Sequence, residues 1–452
     1  MQNIKKLKFL FFFSILLLNS CATVPQVDYR QQADNDLQMI SSQSQITAGE
    51  EITILGNLIH SEKLESLVSE ALEANPSLQQ TLLTLRIQQA EYRQTSGAKY
   101  PQLEAGFSAG KDEDNDASYT GSLTISWEVD LWRKLNDSSK AAAKDVAEQQ
   151  ALYQSACDSL TAEVMKDWLN LITAEKNIAI EEKRITTLNK NQDFILNRYR
   201  NGLGTLADLE SSRTSVASAR AVLESYRENL AQQLRSMQNL LGRLNAKDIS
   251  IPDDYPAVLL PLAGIPLQSL QRRPDLKAAY LAIEAASLQA SAAYKDLLPS
   301  ISLQAAFEDI ATSPSAALLN DPLWSLLAQL TAPLYQGGQL KAAAEIAELE
   351  TAQSYQIYRE TLLEAVQDVD DTLSLERSLP RRQQHVETAL QAARNNLQQY
   401  ESNYRNGLVE IPDLLSVQLN TYDLEIQHNE LVYEHLANRI DLGLALGLGV
   451  TP

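Results

Sequence analysis

The chain has 452 residues, and its 58 acidic side chains outnumber its 38 lysines and arginines, so the formal charge at pH 7 is −20. This acidic balance argues against a nucleic-acid partner. No GxSxG, HExxH, P-loop or CxxC pattern is present and the histidines form no ligand cluster, so the sequence predicts neither an enzyme nor a metal site. The four histidines are His60, His385, His428 and His435.

The first residues resemble a bacterial lipoprotein signal. Three lysines precede an apolar run at 9–18, which is too short to span a bilayer as a helix. The Leu-Asn-Ser-Cys that ends at Cys21 resembles the lipobox, in which signal peptidase cuts before the cysteine and the thiol carries a lipid. An ordinary signal peptide followed by a chance cysteine is the alternative. Ala22 resembles the residue that permits default sorting to the outer membrane.

We therefore expect residues 1–20 to be a signal peptide and residues 21–62 to be a lipid-anchored N-terminal segment. Buried acyl chains hold a protein at a membrane surface, and covalent lipid on Cys21 is the only non-protein group that the sequence predicts, with no cofactor. Cys157 is then the only free thiol, so no disulfide forms within the chain.

Long stretches without glycine or proline predict two helical hairpins. The first joins 135–201 to 205–241 through a glycine turn, and the second joins 339–406 to 413–442. The longer helices would each extend about 100 Å, with a break or kink at Pro380 in the second hairpin. Helices of this length need neighbours from the same or other subunits to cover them. Shorter helices are predicted at 63–74, 78–96 and 275–297.

The two hairpins belong to an internal duplication. Tyr-Arg-Asn-Gly-Leu occurs at 199–203 and again at 404–408, and several other residues recur at matching places. A repeat of about 200 residues is far longer than the unit of a solenoid. We therefore expect a first repeat at 63–262 and a second at 263–452, with hairpin tips at 199–208 and 404–413.

Alternation of apolar and polar residues predicts two β-hairpins, at about 102–129 and 300–333, with polar loops at 111–118 and 308–321. Each predicted strand is close to the length that a tilted transmembrane strand needs. Two ordinary hairpins on a soluble core are the alternative. Four strands cannot close a barrel and an open edge is not tolerated in lipid, so a membrane-spanning barrel requires several chains. Three chains would supply twelve strands, which is wide enough for an aqueous lumen.

Several motifs resemble signatures of the outer-membrane efflux protein (TolC-like) family. They are SWEVDLW at 126–132, RRPDL at 272–276, APLYQGG at 332–338 and the two tips. With the lipobox, the resemblance is strongest to the lipoprotein, NodT-like branch that serves resistance-nodulation-division pumps. One departure is Arg133, because that branch usually has glycine after the aromatic residue at the strand-to-helix bend.

The resemblance implies a mainly α fold with a small β part. Long periplasmic helical hairpins would form an α-barrel tunnel, and four transmembrane strands per chain would complete a 12-stranded β-barrel in a homotrimer. The implied function is the outer-membrane channel of a tripartite efflux system, which passively conducts drugs, toxic compounds or metal ions from an inner-membrane resistance-nodulation-division pump and a periplasmic adaptor. The implied location is the outer membrane, with lipid at Cys21 and helices extending into the periplasm.

The same resemblance assigns roles to residues near the tips. The tips Asn201-Gly202-Leu203 and Asn406-Gly407-Leu408 would contact the adaptor, although their glycines could simply serve the turns. Asp208 would pair with Tyr404, and Asp413 would line the constricted mouth as part of a gate. Both acids stand early in a returning helix, where favouring the helix N-terminus is a serious alternative.

Two other functions stay open at this point. An outer-membrane conduit of a type I protein secretion system would share the fold. A helical lipoprotein without a pore would explain the helices, but it would leave the four amphipathic strands without a role.

Overall fold

A computed structural model describes residues 27–41, 54–111, 113, 116–245, 249–261 and 272–450. The signal peptide and Cys21 lie outside the described residues. Eight α-helices and four strands are assigned within them. None of the described helices is both long and apolar enough to cross a membrane. The helices are α1 (Tyr29–Ser41), α2 (Glu62–Ala74), α3 (Pro76–Gly97), α4 (Lys134–Arg200), α5 (Leu206–Leu240), α6 (Pro274–Lys295), α7 (Gln339–Arg405) and α8 (Ile411–Ala445).

The predicted helices are present, and corresponding helices of the two halves have equal lengths. Helices α3 and α6 each have 22 residues, α4 and α7 each have 67, and α5 and α8 each have 35. Both 22-residue helices begin at a proline, a residue that suits the first helical position because its missing N–H would have no helical partner there. The four hairpin helices correspond at a constant offset of 205 residues, since Lys134 matches Gln339 and Leu206 matches Ile411.

Of the break or kink expected at Pro380, the break is wrong, because α7 continues through this proline as one helix. Proline removes one hydrogen bond from the helical ladder. Pro380 is exposed, and its buried neighbour Leu379 keeps the helix packed at this position.

The described residues divide into two units of the chain. The first contains the described parts of Met1–Ser42, Leu83–Ala151 and Asp275–Leu362, and it includes all four strands. The strands form one antiparallel sheet in the order β1 (Gln102–Gly110), β2 (Ser118–Val129), β3 (Ser300–Ala311) and β4 (Leu323–Thr331). The predicted loop at 308–321 was too long, because the strand pairing continues as far as Ala311.

The register places the four apolar series on one face of the sheet. Leu103 lies opposite Ile125, Ile125 opposite Ala305, and Ala305 opposite Leu326, so one apolar row crosses all four strands. Residues directly opposite one another share a face, and alternate residues of a strand do so too. The other face carries most of the Ser, Thr, Gln and Glu side chains of the strands. Every residue of β1 and β4 is exposed, and neither edge strand has a second partner among the described strands.

A helix that the sequence did not predict also belongs to the first unit. Helix α1 packs on α7 through Ala33, which is fully buried, and through Tyr29, whose ring lies 5.4 Å from that of Tyr355. The Tyr355 hydroxyl donates a hydrogen bond to Asp36 of α1 at 2.9 Å. The segment that follows the expected lipid site is therefore docked on the long helix α7.

The bend between β2 and α4 contains a strained residue. Arg133 has a φ of 60°, whereas the matching residue of the second half is Gly338 with a φ of 86°. A left-handed conformation costs a non-glycine residue about 1–2 kcal/mol, and glycine loses about 0.5–1 kcal/mol more chain entropy on folding. We expect Arg133→Gly to raise the free energy of unfolding by about 0.5–1 kcal/mol. Thermal unfolding of the purified protein in detergent measures it, and a lowered melting temperature would contradict it.

The second unit contains the described parts of Gln43–Leu82, Leu152–Pro274 and Leu363–Pro452, and it holds the largest apolar cluster. Helices α2, α4, α5 and α8 contribute to this cluster. Its fully buried members include Met165, Trp168, Leu169, Ile172 and Met237. Cys157 is also buried there, and burial raises the pKa of its thiol.

Candidate functional site

Both hairpin tips end in the same hydrogen-bonded turn. After α4, the N–H groups of Gly202 and Leu203 donate to carbonyls three and five residues earlier, at 3.0 and 2.8 Å. After α7, Gly407 and Leu408 repeat this pattern at 3.0 and 2.9 Å. This is the Schellman pattern, which needs a left-handed residue. The φ angles are 73° at Gly202 and 72° at Gly407, so both glycines adopt the left-handed conformation that this turn needs.

The turns leave both tips open to contact from outside the chain. Leu203 is 68% exposed and Leu408 is 71% exposed. Burying apolar surface lowers the free energy by about 25 cal/mol for each Å², so these side chains would be more stable if they were covered. The six tip residues are all exposed: Asn201, Gly202, Leu203, Asn406, Gly407 and Leu408. Each tip therefore presents an exposed leucine beside a glycine without a side chain. These two equivalent surfaces are apolar and open to contact by another protein.

A cavity of about 720 Å³ lies between the two tips. Apolar side chains of both hairpins line it, together with Arg198, Asp208 and Tyr404. A second apolar cluster, which includes Ile195, Leu209 and Ile411, packs beneath it and joins the hairpins. The structure therefore brings Asp208 and Tyr404 into one cavity.

The hydrogen bond between Asp208 and Tyr404, however, is not formed. The Asp208 carboxylate accepts hydrogen bonds from the N–H and the hydroxyl of Thr205 at 3.0 and 2.7 Å, and the Thr205 hydroxyl accepts from the Asp208 N–H at 3.1 Å. This reciprocal capping box satisfies the free donors at the start of α5. The hydrogen bonds from Thr205 lower the pKa of Asp208. Asp208 is thus a helix cap, as the alternative interpretation held.

Tyr404 is instead contacted by a residue that the sequence analysis missed. The Arg198 guanidinium lies 5.7 Å from the Tyr404 ring centroid, and its Nη2 donates to the Leu203 carbonyl at 3.1 Å. Phe194 meets the same ring edge-on at 5.4 Å. Tyr404 is only 6% exposed, and its hydroxyl forms no hydrogen bond of regular geometry with any described residue, although the Arg198 guanidinium lies close to it. Burial raises the pKa of this hydroxyl.

Asp413 lies apart from this cluster. It stands exposed in the first turn of α8, where Glu410 precedes the helix without a side-chain cap. Among the described residues no group of three His, Cys, Asp or Glu side chains is arranged to hold a metal ion.

A row of polar contacts joins α4 of the first hairpin to α8 of the second. Thr187 bonds to Tyr422 at 2.8 Å, and Asn191 donates to Gln418 at 2.6 Å. Arg184 forms an ion pair with Asp423 on α8. Hydrogen bonds between buried side chains require matched positions, so these contacts define how the two helices align.

The family model for the outer membrane efflux protein matches residues 67–243 and 265–448. The chain belongs to the outer membrane efflux protein family. It is therefore an outer-membrane protein, the channel component of a tripartite efflux system. The fold is that of this family, mainly helical with a small β part.

Two curated relatives and one solved structure illustrate the similarity. The probable outer membrane lipoprotein SilC of Salmonella typhimurium is 25% identical, over 98% of this chain and 99% of SilC. The cation efflux system protein CusC of Escherichia coli K12 is 26% identical, over 98% of this chain and 99% of CusC. The crystal structure of a membrane protein from Pseudomonas aeruginosa superposes with a TM-score of 0.82 at 25% identity, covering 89% of this chain and 97% of that one.

Proposed function

We propose that three copies of this chain form one channel, which receives small molecules from an inner-membrane pump and releases them outside the cell. The observation that carries this proposal is the four-stranded sheet. One of its faces is apolar and exposed, and neither of its edges has a partner among the described strands. Such a sheet is stable in lipid only after other chains cover its edges.

Three sheets supply the twelve strands of a closed barrel, with the apolar face towards lipid and the polar face towards the lumen. The two hairpins of each chain supply twelve helices for a periplasmic tunnel. An internal duplication, with repeats at 63–262 and 263–452, explains why each chain provides two equivalent units. The equal helix lengths and the two matched segments of the family model support this division.

The exposed tips dock a periplasmic adaptor, which connects the channel to a resistance-nodulation-division pump. Asn201, Gly202, Leu203 and their counterparts Asn406, Gly407, Leu408 form the contact surface. The channel belongs to the lipoprotein, NodT-like branch. The relative CusC is named a cation efflux system protein. Metal cations should therefore be tested among the small molecules that this channel conducts.

Deleting the gene tests this function. The deletion strain should become more sensitive to at least one drug or metal salt, and the wild-type gene on a plasmid should restore resistance. Unchanged sensitivity to all compounds exported by the partner pump would contradict the proposal.

Lipid on Cys21 should hold the mature N-terminus at the outer membrane. The thiol is the only acceptor at that site, so Cys21→Ser should lose incorporation of radioactive palmitate. Some of the variant should still insert, because the barrel itself spans the membrane. Cys157→Ser is the matched control and should keep its label. Label that persists in Cys21→Ser would contradict the lipid site.

The gate lies at the tips and involves Asp208, Tyr404 and Asp413, with Arg198 as an added member. Arg198 joins the first tip to the Tyr404 ring, and a cation over an aromatic ring contributes about 0.5–1 kcal/mol at an exposed site and about 2 kcal/mol when the pair is desolvated. The Tyr404 ring is buried. Asp208 fixes the start of α5 beside this contact. Three exposed copies of Asp413 around a narrow axis would repel one another and attract cations.

Conductance in planar bilayers separates these roles. Arg198→Ala and Tyr404→Ala should raise the open probability, because each removes the contact between the Arg198 guanidinium and the Tyr404 ring. Tyr404→Phe should have a smaller effect than Tyr404→Ala, because it keeps the ring and removes only a hydroxyl that lacks a hydrogen bond of regular geometry. Asp413→Ala should weaken block by multivalent cations. Equal behaviour of Tyr404→Phe and Tyr404→Ala would contradict the role of the ring.

A further inference from the structure

A cavity of about 350 Å³ lies within the second unit of the chain, against helix α2. Ligand sites in proteins are concavities of about 300–1,000 Å³ with mostly apolar walls and a few polar groups. The size of this cavity therefore suits a small molecule. Most of its wall is apolar, and the side chains that form it include Ile59, Leu64, Val68, Leu72, Met165 and Val450.

The part of the wall that contains Val450 is held in place by hydrogen bonds. The Val450 N–H donates to the Asp158 carboxylate at 2.8 Å, and the Gln154 side chain donates to the Val450 carbonyl at 2.8 Å. Beside it in the chain, the Gly449 carbonyl accepts a hydrogen bond from the Leu55 N–H at 3.0 Å. This wall is already formed, so a ligand would not have to order it on binding.

One buried polar atom in the cavity wall has no partner. Thr161 lines the cavity and is 1% exposed, and its Oγ1 forms no hydrogen bond with any described residue. Other buried threonines of the long helices donate to the carbonyl four residues earlier, as Thr173 does to Leu169 and Thr421 does to Val417. A buried polar group without a partner is unfavourable and rare. The Thr161 hydroxyl is therefore available to a bound molecule.

The charged residues that line the cavity are both acidic. Glu65 and Glu73 lie on α2, four residues to either side of Ser69, which also lines the cavity. Both are exposed, and neither forms an ion pair with another described residue. Two unpaired carboxylates beside an apolar wall attract a cation and repel an anion. The charge of the cavity therefore selects a ligand that is both cationic and partly apolar.

We propose that this cavity binds a small amphiphilic organic cation. The apolar body of the ligand packs on Leu72 and Met165. Its ammonium group lies near Glu65 and Glu73, and a donor on the body bonds to the Thr161 hydroxyl. An aromatic amine such as tryptamine has all three features. The ligand need not pass through the channel to bind here, so this binding site is additional to conduction.

Equilibrium dialysis with tritiated tryptamine tests the site on the full-length protein in detergent. Detergent at the same concentration on both sides cancels uptake of the probe by micelles. Unlabelled indole-3-propionate carries the same ring with the opposite charge, and 1-methyltryptamine lacks the N–H of the ring. We expect saturable binding of tryptamine that indole-3-propionate does not displace. The affinity of 1-methyltryptamine should be about threefold to tenfold lower, because one hydrogen bond is lost.

Substitutions at the polar groups connect this binding to the cavity. Glu65→Gln and Glu73→Gln should each weaken tryptamine binding about twofold to fivefold, as expected for an exposed ion pair. Glu62→Gln is the matched control, since it removes the same charge from α2 outside the cavity. Its affinity should stay at the wild-type value. Thr161→Val should bind tryptamine and 1-methyltryptamine equally, and it should keep or raise the melting temperature because it removes an unpartnered hydroxyl.

Gly56→Leu should block the cavity. Gly56 lines it and has no left-handed φ, and an added Cβ would meet no described atom within 4 Å. The variant should keep the melting temperature of the wild type and lose most of the tryptamine binding. Absence of saturable binding to the wild type would overturn the site. Equal displacement of tryptamine by the cationic and the anionic competitor would overturn it too, as would undiminished binding to folded Gly56→Leu.

Discussion

Gly407→Trp should abolish efflux while the protein still assembles and reaches the outer membrane. A Cβ at Gly407 would meet no described atom of the chain within 4 Å, so a side chain can leave the backbone there without an immediate clash. The φ of 72° costs a non-glycine residue about 1–2 kcal/mol, which is small for a helical hairpin of this size. The large side chain would instead occupy the surface where the adaptor docks. Drug or metal sensitivity should rise to the level of the deletion strain.

Two controls separate docking from folding. Gly407→Asn accepts the left-handed conformation with a small side chain, because asparagine tolerates this region better than other residues, and it should retain most of the efflux. Gly242→Ala should instead lower the amount of folded protein, because the added Cβ would lie 2.3 Å from the Ala74 carbonyl oxygen. If Gly407→Trp fails to assemble, the tip glycine is only a turn residue.

Leu326→Arg should prevent stable insertion into the outer membrane. Leu326 is 71% exposed at the middle of β4, on the apolar face. Arginine on the lipid side of a barrel costs about 2–4 kcal/mol near the bilayer midplane, and each trimer would contain three copies. On semi-native gels the wild type should give an oligomer band that the variant lacks, and the variant chain should appear in the periplasm or be degraded.

Ser325→Arg is the matched control, since the adjacent residue points to the opposite face of the same strand. In the proposed barrel this face lines an aqueous lumen, where a charge is solvated. The variant should assemble normally and conduct, with lower selectivity for cations. Equal loss of assembly in both variants would contradict the proposed barrel, in which one face of the sheet meets lipid and the other meets water.

The long helices were predictable because glycine and proline are absent from 135–200 and 339–379 and the two halves repeat the same plan. The strands were predictable because alternation occurred twice at matching places. Helix α1 was missed, since its residues are mostly polar and it is stabilised by contacts with distant Tyr355 and Tyr358. A break was expected at Pro380 because proline removes one helical hydrogen bond. The helix continues there because the remaining hydrogen bonds and packing of a long helix hold this one position.

At the tips, the glycine conformations followed from the turn chemistry, but the partners of Asp208 and Tyr404 did not. Thr205 is close in sequence and offered Asp208 a local capping box that a distant tyrosine cannot match. No sequence pattern marks Arg198 as a contact of Tyr404, since nothing in the sequence shows which side of α4 faces the second tip. Contacts between distant segments depend on how the hairpins pack, which local patterns do not specify.

Copies of this chain should assemble into an open-ended channel through the outer membrane. Single-channel recording of the purified protein in a planar lipid bilayer tests this assembly most directly. We expect discrete conductance steps of one size that are sensitive to multivalent cations on the side of the hairpin tips. A purified oligomer that inserts into the bilayer and conducts no current, even after Arg198→Ala, would contradict it.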